Sequence, residues 1–238
     1  MELFTMGLLW YAVFLFSTTL HEAAHALAAL KMGDPTAYFA GQVTLDPLPH
    51  IRREPVGTVL VPLLSYIFLG WMMGWASAPY NPTWARQHPR QSAYMALAGP
   101  AANLVLVFLA VLGIQIGIHL GIFIAPMETK FGMAGIVAAR QDGLPLIAAT
   151  LLSILFSLNM VLFIFNLIPL PPLDGSGVFP LFLSKEKAVR LMDIFQQRPE
   201  LSMIGLLVAI FLFEDIFRPV YLFTINSMYP GMTYHWTN

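Results

Sequence analysis

The chain has 238 residues, of which 58% are hydrophobic and only 11% charged, with a net charge of −1 and no cysteine. Soluble domains carry about 25% charged residues, so this chain has too few charges to cover a water-facing surface, and the same numbers exclude disorder, a coiled coil and collagen. No basic surplus points to nucleic acid, and the lack of cysteine excludes disulfides, thiolate metal sites and a cysteine nucleophile.

Charged residues mark out the segments by their absence, and the pattern predicts an all-α polytopic membrane protein of five to six transmembrane helices in a single domain, 1–238. The first span, about 3–30, is interrupted only by Glu22. No cationic stretch precedes it and it is too long for a signal peptide, so Ala26-Leu27-Ala28 is not read as a cleavage site. Tyr38–Leu45 has β-branched and aromatic residues around Gly41, which predicts a short β-hairpin after the first helix. Spans follow at about 56–78, 92–120 and 144–168, each near the 20 apolar residues that a bilayer crossing needs. Hydrocarbon offers no partner to backbone polar groups, so all should be helical. The uncharged run 91–127 would be about 55 Å long as one helix, so it must tilt, break or leave a core about 30 Å thick. Ser184 is placed to cap a helix over 185–197, with Ala188, Leu191, Met192 and Phe195 on one face, a pattern for the membrane interface. A last span, about 201–223, carries Glu214, Asp215 and Arg218. Gly70xxxGly74 and Gly113xxxGly117xxxGly121 are ridges for close helix approach, within the chain or in a homo-oligomer.

The first span contains His21-Glu22-Ala23-Ala24-His25. Residues four apart share a helix face, so both imidazoles can reach one ion. Glu22 projects about 100° away, toward water beside the ion rather than the ion itself. Such a match arises by chance in about one chain of this length in a hundred. Inside a span, however, an ionisable residue costs about 2.5–3.5 kcal/mol and is functional by default; the bland alternative is that neighbouring helices satisfy all three side chains. A catalytic zinc usually takes three protein ligands, and without cysteine the third must be His, Asp or Glu. His119 lies in a glycine-rich stretch, while His50, His88 and His235 fall in loops or the tail and read as solvated. Asp174 follows the fourth span in Asn166-Leu-Ile-Pro-Leu-Pro-Pro-Leu-Asp174-Gly175. Three prolines end the helix there and Gly175 permits a tight backbone that aims the carboxylate inward; the alternative is an ordinary Asp-Gly turn at the membrane surface.

HEAAH followed about 140 residues later by NLIPLPPLDG resembles the site-2 proteases, zinc metalloproteases that cut inside membranes. Gly33–Ala37, GQVTLDPLPHI (Gly41–Ile51), GWASAPYNP (Gly74–Pro82) and AGPAAN (Ala98–Asn103) extend the resemblance, in order, to the compact bacterial branch. The resemblance implies one Zn2+ per chain on His21, His25 and Asp174, Glu22 as catalytic glutamate, and Asn103 and Asn166 as transition-state or substrate contacts. It implies transmembrane protein substrates in a bacterial cytoplasmic membrane, anti-sigma factors among them, and no PDZ or CBS domain. Two departures stand in one loop: Arg52 replaces an acidic residue, and Asp46-Pro47-Leu48 replaces an Asn-Pro-Leu stretch.

Zinc would acidify water, Glu22 would take its proton, and a strand around Gln42–Leu45 would hold the unwound substrate by edge pairing. A transporter has no need of a glutamate beside the first ligand, and an inactive binding homologue would normally have lost a ligand or the base. Topology poses one difficulty. Simple crossings put Asp174 on the opposite side from Lys31 and divide the Lys and Arg residues six and six. A re-entrant run, two passes within 91–127, or motifs that meet deep in the bilayer would each resolve it. The prolines favour the last, with a buried site in a water-filled cavity.

Overall fold

The computed structural model describes residues 3–126 and 133–235. Three described helices are long and apolar enough to cross a membrane: α1 (Leu3–Lys31), α6 (Pro89–His119) and α7 (Leu144–Asn166). Side-chain contacts fix their directions. Trp10 and Phe14 of α1 share a cluster with Ile154 and Leu158 of α7, and one turn further on Ser17 meets Asn159, so these two helices run parallel. α6 runs antiparallel beside them, with Asn103 level with His21 and Met95 level with His25. α10 (Glu200–Met228) descends along α7. Ala209 packs with Ile168 and Leu173, Phe213 on Phe165, and Tyr221 on Phe156. It is helical over the whole predicted fifth span, but Glu214, Asp215 and Arg218 lie exposed along it, so it is not among the three.

The predicted span 56–78 is not one continuous helix. A π-helical turn (Val56–Leu60) leads into α4 (Val61–Leu69), which ends at the left-handed Gly70. Tyr66 donates a 3.0 Å hydrogen bond to the Leu3 carbonyl, so α4 ends beside the start of α1. The chain then returns in extended form. Met73 N–H donates to Ser65 Oγ, Trp75 N–H to the Gly57 carbonyl, and Asn81 N–H to Asp34 Oδ2 just past the end of α1. The run therefore enters and leaves at one end. Composition alone reads it as a crossing, but Gly70, Gly74 and Pro79 break the helix. Non-helical backbone at membrane depth is tolerated only where protein buries it or water reaches it. Here Gly57 and Gly74 allow the two arms to touch, since a Cβ at Gly74 would collide with the Gly57 carbonyl. With this run folded back on itself, α1 and α7 point one way and α6 the other, and Lys31 and Asp174 stand at the same end.

The predicted hairpin at Tyr38–Leu45 is absent. Asp34 Oδ1 accepts from Thr36 N–H and Thr36 Oγ1, which starts a short helix, α2 (Thr36–Phe39), and turns follow up to Asp46. Asp46 then caps α3 (Pro47–Arg53) by accepting from Leu48 N–H, so the departure to Asp-Pro-Leu keeps a side-chain cap for that helix. Among the described residues the strands lie elsewhere, as one short antiparallel pair, β1 (Phe123–Ile124) with β2 (Ala138–Ala139), at the opposite end. The run 91–127 is one helix from Pro89 only to His119; Met127 lies outside the described residues. Its glycine ridge is used within the chain, Gly113 against Leu152 and Gly117 against Phe123. Between these elements lie α5 (Pro82–Gln87), α8 (Asp174–Val178) and α9 (Lys185–Gln197), the last with the predicted bounds and Ser184 cap.

Candidate metal centre

Ser17, His21 and His25 are spaced by four, so α1 presents them as one stripe toward α6 and α7. α7 ends at Asn166, and the proline-rich turn folds back so that Asp174 opens α8 beside the two imidazoles. The return is tight: a Cβ at Gly175 would collide with the Leu167 and Ile168 carbonyls. The three predicted side chains thereby converge. His25 Nε2 lies 3.0 Å from His21 Nε2, and Asp174 Oδ2 lies 3.1 and 3.2 Å from the two nitrogens. His21 and His25 are buried, and Asp174 is partly exposed. Gly99 of α6 closes the site from above, since a Cβ there would strike Nε2 of both imidazoles.

Hydrogen bonding sets the electronic character of this cluster. His25 Nδ1 lies 2.7 Å from the Met95 carbonyl, which can only accept, so Nδ1 carries the hydrogen and Nε2 keeps a lone pair. His21 Nδ1 lies 2.5 Å from Asn103 Oδ1, with the same consequence. Two nitrogen lone pairs and a carboxylate oxygen thus face one another at close range, which is repulsive unless a cation joins them. Around a tetrahedral ion with bonds of about 2.0–2.1 Å, ligand atoms stand about 3.3 Å apart. The cluster, at 3.0–3.2 Å, fits zinc in spacing and in donor type.

Glu22 is buried at 6% exposure, and its carboxylate makes no hydrogen bond among the described residues. It lies one residue on from His21, on the neighbouring face of the same helix turn. The remaining candidates separate. Asn103 is fully buried with both polar ends engaged, its Nδ2 donating to Asn159 Oδ1 at 2.8 Å. Asn166 is half-buried at the end of α7, and its side chain makes no hydrogen bond among the described residues. His119 is exposed at the last residue of α6, 24 residues or about 36 Å from Met95. His88 and His235 are exposed, as expected, but His50 is not: it is buried within α3 with Nε2 near the Thr44 carbonyl. Asp46 and Pro47 begin a helix across what reads as a loop, and its turn folds His50 inward.

A cavity of about 350 Å³ is bounded by Tyr80, by Pro172 and Ser176 on either side of Asp174 in the chain, and by Leu191 and Phe195 of α9. The apolar stripe of α9 therefore faces this cavity.

A family model described as Peptidase family M50 matches residues 10–212. The chain belongs to peptidase family M50. Among M50-like relatives, it is 37% identical over 160 residues to "Putative zinc metalloprotease YwhC" of Bacillus subtilis, covering 67% of this chain and 62% of that protein. It is 30% identical over 215 residues to "Putative zinc metalloprotease Rip2" of Mycolicibacterium smegmatis, covering 89% of this chain and 71% of that protein. For the Mycobacterium tuberculosis Rip2, 29% identity spans 69% of this chain and 53% of that protein. No solved structure matches the chain.

Sequence reasoning missed three residues at this M50 centre: Gly99, Met95 and Asn159. Asn159 carried a readable signal, a carboxamide inside the otherwise apolar run that forms α7. Met95 acts through its backbone, which no side-chain pattern announces.

Proposed function

We propose that this chain is an intramembrane zinc metalloendopeptidase, a multi-pass protein that hydrolyses peptide bonds in or near transmembrane segments of other membrane proteins. The observation that carries this reading is the convergence of His21 Nε2, His25 Nε2 and Asp174 Oδ2 beside Glu22, a residue only 6% exposed. One zinc held there would act as a Lewis acid, polarising a peptide carbonyl and letting water release a proton near neutral pH. Glu22 supplies the base: its carboxylate takes that proton and returns it to the departing amide nitrogen. Asn103 and Met95 orient the imidazoles, and their own hydrogen bonds leave them no part in proton transfer. The roof at Gly99 keeps bulk water off one side.

An unwound substrate needs partners for its backbone. The predicted edge at Gln42–Leu45 does not exist, but the extended arm of the re-entrant hairpin offers one. The main-chain N–H and C=O groups of Ala76, Ser77 and Ala78 make no hydrogen bond among the described residues. That arm ends at Tyr80, across the 350 Å³ cavity from the turn that presents Asp174. Strand addition there would lay an extended peptide along the approach to the centre.

The same hairpin supports an orientation in the membrane. With Lys31 and Asp174 at one end, nine of the twelve Lys and Arg residues gather there: Lys31, Arg52, Arg53, Arg86, Arg90, Lys185, Lys187, Arg190 and Arg198. Arg140 is at the other end, Arg218 lies within α10, and Lys130 lies outside the described residues. Positive loops stay in the cytoplasm, so the catalytic end faces it. The test of the function is co-expression with single-span reporter proteins carrying varied transmembrane segments. Wild type should release the reporter's cytoplasmic domain and Glu22→Gln should not; release equal in the two would refute the proposal.

A further inference from the structure

We propose that Asn159, acting through Asn103, is a positioning residue that dictates which nitrogen of His21 faces the metal; this rests on the metalloprotease reading above. Asn103, Asn159 and Ser17 are completely buried in an apolar helix bundle. Their hydrogen bonds form one directed chain. The Leu155 carbonyl can only accept, and Asn159 Nδ2 lies 2.8 Å from it, so the nitrogen end of Asn159 is pinned there. The second N–H of that nitrogen goes to Ser17 Oγ at 2.9 Å. Asn159 Oδ1 is thereby turned toward Asn103 and can only accept, which draws Asn103 Nδ2 to it at 2.8 Å. Asn103 Oδ1 is then left facing His21 Nδ1 at 2.5 Å, so Nδ1 must carry the hydrogen and Nε2 must not.

The relay matters because a carboxamide is nearly symmetrical in shape. Released from Asn159, Asn103 could turn over at little steric cost and offer its N–H groups to His21 Nδ1. The imidazole would then take its other tautomer, with a hydrogen on Nε2 pointing at His25 and Asp174, where the metal must bind. Partners of this kind fix a ligand's tautomer and are worth about 10–100-fold in metal affinity. Asn159 lies too far along the chain of contacts to act on the metal itself. Its influence passes through one amide orientation.

The test uses the purified full chain, stripped of metal. Zinc affinity is measured by competition with a chromophoric chelator, and the visible absorption of added Co2+ reports on ligand geometry. Wild type should take up one zinc. Asn159→Leu, and Asn159→Ala run in parallel in case the larger side chain hinders folding, should bind about 10–100-fold more weakly, with an altered cobalt band. Asn103→Asp added to either variant should restore both readouts, because a carboxylate presents an acceptor to His21 whichever way it turns. A merely structural role for Asn159 predicts no such rescue. Wild type without zinc uptake would sink the metalloprotease reading; Asn159 variants that bind as wild type does, or doubles that stay weak, would overturn the relay alone.

Discussion

Gly99→Ala adds a single methyl group at the point where α6 lies on the two imidazoles. The added Cβ would meet Nε2 of His21 and of His25, the same atoms that would hold zinc, and neither ring can retreat freely. His25 is held through Nδ1 by the Met95 backbone and His21 by Asn103. Either the rings or α6 must shift, and overpacking of this kind costs about 1–3 kcal/mol. If that strain falls on the liganded geometry, zinc affinity drops by roughly 5- to 150-fold, at about 1.4 kcal/mol per decade. Alanine also favours a helix over glycine by about 0.8–1.0 kcal/mol, so helix propensity pushes the other way. Gly113→Ala on the same helix is the control. Its Cβ meets only the flexible end of Leu152, at 3.1 Å, so it gains the helix propensity without touching the centre. Chelator competition on both variants gives the answer. Gly99→Ala binding zinc as tightly as Gly113→Ala would mean that the imidazoles do not lie under α6 as described.

Glu22→Gln should keep one zinc per chain and its folded state while losing about 10²- to 10⁴-fold in cleavage, because its carboxylate is assigned the proton and not the ion; metal content beside a turnover assay decides. Asp174→Ala removes one of three ligands and should weaken zinc by more than the roughly 10–100-fold that outer-shell changes cost, with cleavage lost in parallel. Equal zinc loss in the two variants would refute the division of roles. Because the chain has no cysteine, single substitutions report membrane sidedness cleanly. Arg52→Cys and Arg190→Cys, both exposed at the catalytic end, should react with a membrane-impermeant maleimide only after the cells are opened, and Arg140→Cys in intact spheroplasts. The reverse pattern would invert the orientation.

What was legible in the sequence follows what each signal depends on. The pairing of His21 with His25 and the position of Glu22 need only the helical repeat, and a long apolar run guarantees that repeat in a membrane. Asp174 stood out through the prolines and Gly175 that confine its backbone, and the resemblance to the site-2 proteases chose it over an ordinary Asp-Gly turn. The α9 boundaries were legible because a serine cap and a four-residue apolar spacing are local. The re-entrant hairpin was not. An uncharged run from Pro55 to Ala85 satisfies every compositional requirement for a crossing, and only the close approach of Gly57 to Gly74 makes the return arm stable. Gly70 and Gly74 were visible, but as a ridge rather than a break. The error at Tyr38–Leu45 has the same source. Strand-forming residues were present, yet a strand needs a partner, and the Asp34 carboxylate had already started a helical turn at Thr36. Misplacing the hairpin then propagated. It placed Asp174 at the opposite end from Lys31, split twelve cations evenly, and hid the gathering of nine of them at one end. One misread segment, 56–78, thus cost more functional information than any misassigned side chain, because in a membrane every later segment inherits its side from the one before.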